Sequence, residues 1–261
     1  ARSLKGTVVL DLLKARLAFG HRTTRFPQAV VTLPERTRGR PVVQSARCQD
    51  ACVACVEACP VAAIAAPPLA IDLGKCVFCT ACQEACPSGA IVFTPNHRLA
   101  TRTRRALVVD DSDYELAAAL GGRLRRLFGR SLALRQVAAG GCNGCEAELV
   151  AIGNIDYDIG RFGVRFVASP RHADGIVITG PVTTAMEAAL CATYAAVPAP
   201  KLVIAVGACA VSGGPFAGAD ACRNGVPADI PVDLYIPGCP PHPLTLIDGL
   251  VRLLGGIEDR R

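Results

Sequence analysis

The sequence predicts two domains of different class: a small α+β domain built on a duplicated cysteine-rich unit, and after it an α/β domain with a parallel sheet. Three observations carry this. Eight of the 14 cysteines fall in two short runs, Cys48, Cys52, Cys55, Cys59 and Cys76, Cys79, Cys82, Cys86. The end of the first run, Cys59-Pro-Val-Ala-Ala-Ile, is answered by Cys86-Pro-Ser-Gly-Ala-Ile at the end of the second, an internal repeat that implies a pseudo-twofold unit. Beyond Cys145, short apolar β-rich runs at 164–168, 175–179, 201–206 and 232–236 are interleaved with a helical pattern over 183–197, which indicates βαβ units and a parallel sheet.

The chain has 261 residues, enough for two modest hydrophobic cores, and its 51% hydrophobic and 19% charged residues mark a globular protein. It divides into a basic N-terminal helix and extended arm (1–47), the duplicated unit (48–97), an Arg-rich linker (98–130) and the α/β domain (131–261). Between Leu4 and Phe19 the apolar residues Leu4, Val8, Val9, Leu12, Leu13 and Leu17 recur at helical spacing, with Lys5, Lys14 and Arg16 on the remaining surface. Such an amphipathic helix suits a membrane interface, a partner subunit or its own domain. Up to Arg47 ten basic residues face two acidic ones, a local balance of +8 that favours an acidic partner or an anionic membrane, or else a solvated tail. The linker is helical in pattern from Arg98 to Arg135 and holds an acidic patch, Asp110, Asp111, Asp113 and Glu115. Aromatics are scarce and Trp is absent, which argues against a nucleic-acid partner. No stretch qualifies as a transmembrane helix, because the longest uncharged run, 202–219, is broken by Gly207, Gly213, Gly214 and Pro215.

The charges at Arg2, Lys5, Asp11, Lys14 and Arg16 leave no uninterrupted apolar stretch of the signal-peptide kind, so a reduced, cytoplasmic compartment is expected, where clustered cysteines bind metal. A [4Fe–4S] cluster needs four thiolates around a compact cube, and three closely spaced cysteines with a fourth from elsewhere supply them. The run Cys76-x2-Cys79-x2-Cys82-x3-Cys86-Pro matches the bacterial two-cluster motif residue for residue. The run Cys48-x3-Cys52-x2-Cys55-x3-Cys59-Pro carries one extra residue, which makes Cys48 the ligand whose spacing departs from that motif. The fourth cysteine of each run serves the other cluster in that arrangement, so Cys48, Cys52, Cys55 and Cys86 form one expected set and Cys76, Cys79, Cys82 and Cys59 the other. Zinc held by four thiolates is the rival reading, and a non-redox, zinc-stapled assembly protein would follow from it. The Cys-Pro closures and the duplication favour iron and sulfur.

A third constellation lies in the α/β half: Cys142-Asn-Gly-Cys145 before a helix, Cys209 in Gly-Ala-Cys after one strand, and Cys239 in Pro-Gly-Cys-Pro-Pro after another. Thiols at the carboxyl ends of strands of one parallel sheet converge where such sheets bind ligands. Cys191 and Cys222 lack a partner motif and are read as small buried side chains. Glu146 and Glu148 are either helix N-terminal charges or groups that assist proton movement or a subunit contact. His172 and His242 are assigned to surface or partner contacts.

Gly-Gly-Cys142-Asn-Gly-Cys145-Glu, the segment 161–174, Thr179-Gly-Pro-Val, Val206-Gly-Ala-Cys209 and Ile236-Pro-Gly-Cys239-Pro-Pro together resemble the small subunit of energy-converting [NiFe] hydrogenases and formate hydrogenlyase complexes, related to the complex I subunit that carries the terminal cluster. Upstream, residues 2–95 resemble the two-cluster ferredoxin-like subunit of the same complexes, including Arg-Gly-Arg-Pro at 38–41. The chain thus looks like a fusion of two subunits. The resemblance implies a ferredoxin-like domain followed by a hydrogenase small-subunit-like domain, three [4Fe–4S] clusters, and a non-catalytic electron-transfer role in an oxidoreductase. It further implies a large [NiFe]-hydrogenase-like or complex I core-like partner, membrane subunits, a soluble electron donor or acceptor, and a peripheral place on the cytoplasmic side of the plasma membrane. Complex I relatives carry two adjacent cysteines where this chain has Cys142-x2-Cys145, which favours the hydrogenase branch over a complex I-like NADH or ferredoxin:quinone oxidoreductase.

Overall fold

The computed structural model describes residues 4–20, 22–49, 51–128 and 131–257, with side chains from Val9 onward; Arg2 and the Lys5 side chain lie outside them. In chain order the elements are α1 (Leu4–Phe19), β1 (Pro41–Val43), α2 (Ala54–Glu57), β2 (Ile64–Ala65), β3 (Ala70–Asp72), α3 (Ala81–Ala85), β4 (Ile91–Phe93), β5 (Val108–Val109), α4 (Gly122–Phe128), β6 (Leu132–Ala138), α5 (Gly144–Ala151), β7 (Val164–Phe166), β8 (Gly175–Thr179), α6 (Thr184–Ala196), β9 (Leu202–Val206), α7 (Gly207–Ser212), β10 (Leu234–Ile236) and α8 (Pro243–Leu253).

The N-terminal half is made of two small antiparallel sheets, β1–β4 and β2–β3–β5, with α2 and α3 following the same step of each cysteine run. Ile64, Ile71, Leu73, Ile91 and Leu107 form its core, and they pack directly against Cys55, Cys76 and Cys82. The C-terminal half is a five-stranded parallel sheet in the order β10-β9-β8-β6-β7. Every residue of β8 and β9 is buried, as expected of parallel strands covered on both faces. Pro243 opens α8, where its missing N–H costs nothing, and His242 caps it by accepting the Leu244 amide on Nδ1 at 3.1 Å. All eleven residues of α8 are buried, including the ion pair Arg252–Asp248 at 2.8 Å.

The stretch expected as a linker packs into both halves through its described residues, 98–128. Thr101 and Tyr235 exchange backbone hydrogen bonds at 3.0 and 2.9 Å, Arg102 donates to Asp233 O at 2.7 Å, β5 extends the β2–β3 sheet, and Ala117, Leu120 and Phe128 enter the core of the second half. Two of its arginines reach partners far along the chain, Arg102 the carbonyl of Asp233 and Arg104 the carboxylate of Asp72. Among the described residues of this region α-helix is confined to α4, with a 3-10 turn at Arg105–Leu107, and Leu132–Ala138, whose Arg135 and Gln136 interrupt the apolar run, is strand β6, between β8 and β7 in the sheet. The arm after α1 also grips the second half: Thr24 N donates to Asp156 O at 2.8 Å, Arg161 donates to the carbonyls of Thr24 and Phe26 at 2.6 and 3.0 Å, and Phe26 is buried.

Helix α1 forms at the expected residues, yet from Val9 to Phe19 its large apolar side chains stay exposed, Leu17 by 84%. Leu10 falls on the side opposite Leu12, so apolar residues surround most of the helix instead of forming one stripe. No helix among the described residues is long and apolar enough to cross a membrane.

Leu134, fully buried at the centre of β6, bears on the whole second half. Leu134→Ala is expected to lower its stability by about 2–5 kcal/mol, read as an earlier midpoint in denaturant unfolding.

Candidate metal centres

The two cysteine runs fold alike. The residue just before the second cysteine of each run, Ala51 and Phe78, takes a left-handed backbone with φ 56° and 55°, so the extra residue after Cys48 is absorbed upstream of that point. Residues other than Gly occupy this region at a cost of about 1–2 kcal/mol each. Strain of that kind concentrates at functional loops. At the end of each run the amide four residues after the last cysteine donates to its sulfur: Ala63 N to Cys59 Sγ and Ala90 N to Cys86 Sγ, both at 3.2 Å.

Cys48, Cys52, Cys55 and Cys86 line one cavity of about 240 Å³. Cys48 stands exposed at its rim and Cys55 is buried at the back. Desolvation and then the facing thiols of Cys86 and Cys52, with Asp111, raise the Cys48 thiol. Burial acts the same way on Cys86, but the Ser88 hydroxyl and the backbone donors around Ala90 outweigh it and bring that thiol below its usual value.

Cys59, Cys76, Cys79 and Cys82 are gathered at a second place, among Ile64, Ile71 and Phe93. Burial pushes Cys76 up to about 12 and Cys82 to about 11, against the Phe78 amide that donates to Cys76 Sγ at 3.3 Å. Arg38 of the Arg-Gly-Arg-Pro entry donates to the carbonyls of Phe78 and Cys79 at 3.4 and 3.3 Å and so braces this loop.

The third group sits at the carboxyl edge of the parallel sheet. Cys142 and Cys145 follow β6, Cys209 lies in α7 directly after β9, and Cys239 follows β10. Burial pushes Cys145 up to about 12, reinforced by Glu146, Cys209, Cys239 and Cys142, and Cys209 up to about 11, reinforced by Cys239, Cys142 and Cys222. The loops are locked together where Ala208 N donates to Gly238 O at 2.8 Å. Gly207 turns there with φ +85°, and a Cβ on it would stand 2.5 Å from Cys145 Sγ, so the backbone itself forms one wall of the thiol cradle.

Cys222, which has no motif of its own in the sequence, lies within electrostatic reach of Cys209, while Cys191 stays on α6. Glu146 accepts the Thr179 hydroxyl at 2.6 Å at the buried end of β8. Glu148 and His242 line a second cavity of about 240 Å³ between the halves, together with His97, which the sequence does not single out. Burial lowers the His97 imidazole to about 4, and its Nε2 is buried without a hydrogen-bond partner. Nothing in the local sequence marks His97, because its surroundings come from Phe26 and from the 237–242 loop.

The donor sets fit iron–sulfur groups on their chemistry. Each is four soft thiols, partly desolvated, and Cys59, Cys76 and Cys86 receive amide N–H bonds to sulfur of the kind that tune such groups. Among the described residues no three His, Cys, Asp or Glu side chains converge on a single ion position; the thiols of the first quartet stand around a volume.

The NADH ubiquinone oxidoreductase, 20 Kd subunit family matches residues 142–253, and the 4Fe-4S binding domain family matches residues 69–92. The chain is 40% identical over 154 residues to formate hydrogenlyase subunit 7 of Escherichia coli (strain K12), an alignment covering 59% of each protein, so it spans somewhat over half the length of that relative. It is 42% identical over 132 residues to the probable membrane-bound hydrogenase subunit mbhJ of Pyrococcus furiosus, covering 51% of this chain and 79% of that one. Over 116 residues it is 46% identical to an NADH-quinone oxidoreductase subunit of Heliobacterium modesticaldum, covering 44% and 66%.

Gly207→Ala is expected to press a methyl group against Cys145 Sγ and to remove about four irons per chain from an otherwise loaded protein, measured by iron analysis.

Proposed function

Given that this chain belongs to the family of the NADH ubiquinone oxidoreductase 20 Kd subunit and carries a 4Fe-4S binding domain ahead of it, we propose that it relays single electrons through three [4Fe–4S] clusters to or from a large partner subunit with a [NiFe] centre. The observation that carries the reading is the order of the thiol quartets. The first opens to solvent at Cys48, the second, with Cys76 and Cys82 buried, lies beside the joint between the halves, and the third ends at exposed Cys142 and Cys239 on the sheet edge. When bound, the clusters supply the one-electron redox chemistry.

The chain's own residues hold, insulate and tune. Cys48, Cys52, Cys55 and Cys86 are the first ligand set, Cys59, Cys76, Cys79 and Cys82 the second, and Cys142, Cys145, Cys209 and Cys239 the third. Amide donors at Ala63, Phe78 and Ala90 stabilise negative charge on sulfur and so favour the reduced state. Thiol protons must leave on loading, and the burial that raises Cys76 and Cys145 opposes that step. The domain boundaries follow the same division, with the described residues 98–128 as a strap across both halves.

Exposed Val150 and Ile155, on α5, which carries Cys145 in its first turn, and on the turn after it, give the large partner an apolar footing. Membrane subunits, a soluble donor or acceptor near Cys48, and a cytoplasmic-side location complete the proposal. The exposed apolar α1, within a strongly basic segment, is suited to a site at the membrane.

A complex I-like quinone reductase is the second reading, favoured by the likeness to an NADH-quinone oxidoreductase subunit. Complex purified from membranes on this chain is expected to contain a larger nickel-bearing subunit and to reduce dyes with hydrogen. Quinone-dependent turnover without nickel would give the second reading instead.

A further inference from the structure

Between the second and third quartets the two halves are joined by a short bonded bridge. Asp72, at the end of β3, accepts the Cys76 amide on its carbonyl at 3.0 Å. Its carboxylate takes both arms of the Arg104 guanidinium at 2.7 and 2.6 Å, and its Oδ1 accepts the Gly74 amide at 2.9 Å. Held in this way, the Gly74 carbonyl accepts the Ser212 hydroxyl at 2.8 Å. Ser212 closes α7, the helix that carries Cys209 one turn earlier, and its hydroxyl also lies 3.2 Å from Ala208 O. A Cβ on Gly74 would stand 2.7 Å from both Arg104 Cζ and Val211 Cγ1, so any larger residue there would have to displace one of these side chains.

We infer that Ser212 is a positioning residue for electron passage between the second and third quartets, its hydroxyl closing a bonded path from Cys76 through Lys75 and Gly74 to α7 and Cys209. The inference rests on the three-cluster reading above. Electron tunnelling weakens steeply with distance, and more steeply across non-bonded gaps than along covalent and hydrogen bonds, so one hydroxyl at this crossing gives the route between the two sites its bonded link. One electron leaves the group held by Cys59, Cys76, Cys79 and Cys82, and one arrives at the group held by Cys142, Cys145, Cys209 and Cys239. No bond is made or broken, and no proton moves at Ser212. The Asp72–Arg104 pair acts through Gly74, by keeping its carbonyl aimed at Ser212.

Ser212→Val and Ser212→Thr have the same shape and differ in the hydroxyl, so the pair isolates it. In full-length chain loaded with iron and sulfide, Ser212→Val should show weaker spin–spin coupling between the second and third reduced clusters by EPR. Electron arrival at the third cluster after flash photoreduction should be several-fold slower, with iron content and midpoint potentials as in the parent chain. Ser212→Thr should restore both. Wild-type coupling and rate in Ser212→Val, or in the smaller Ser212→Ala, would overturn the inference. So would iron loss in both of those variants, since it would make the hydroxyl a support of the cluster site. A parent chain that binds no iron would instead overturn the functional reading, and would show before any variant is made.

Discussion

Four thiols brought to one partly buried place are unfavourable in either protonation state. Ionised they repel each other and lose their water, and neutral they surrender hydrogen bonds. The raised thiols of Cys76, Cys82, Cys145 and Cys209 record that conflict, and each is raised first by burial and then by its neighbouring thiols or carboxylates. In the proposed reading, positive charge from iron would remove it, with loss of the protons. Much of the rest of the molecule reads as the means of holding those thiols in place: left-handed residues ahead of Cys52 and Cys79, amides aimed at sulfur, and a glycine where a side chain would strike Cys145.

The same requirement explains how the halves are joined. An electron relay tolerates little variation in the separation of its centres, and the chain crosses between the halves several times. The arm around Phe26 packs on the second half, Thr101 pairs with Tyr235, β5 completes the first half's sheet, and Leu120 N donates to Leu253 O at 2.9 Å. The buried Arg252–Asp248 pair on α8 lies in the second half's core, where breaking it by removal of one partner would leave a charge in a low-dielectric interior. Rigidity is therefore concentrated around the buried quartets, while α1 and the rim at Cys48 face outward.

What could be read from the sequence depended on range. The two cysteine runs stand out in the sequence because their spacing and Cys-Pro closures are local features. Strands β8 and β9 were legible because both their faces are buried, which leaves continuous apolar runs at Ile176–Ile178 and Leu202–Val206. Strand β6 was not, since half-buried Arg135 and Gln136 break its pattern although it lies between β7 and β8. In the stretch 98–128 the roles of Arg102 and Arg104 could not be read, since their partners Asp233 and Asp72 lie far along the chain. His97, Cys222 and Ser212 acquire their settings from contacts far along the chain, and no local pattern marks them.

The central claim is that twelve cysteines hold three clusters in one chain. Anaerobic iron and sulfide analysis, with EPR of the reduced protein, tests it most directly. The account predicts about twelve irons and as many sulfides per chain, with three magnetically interacting centres. About eight irons, or zinc in place of iron, would contradict it.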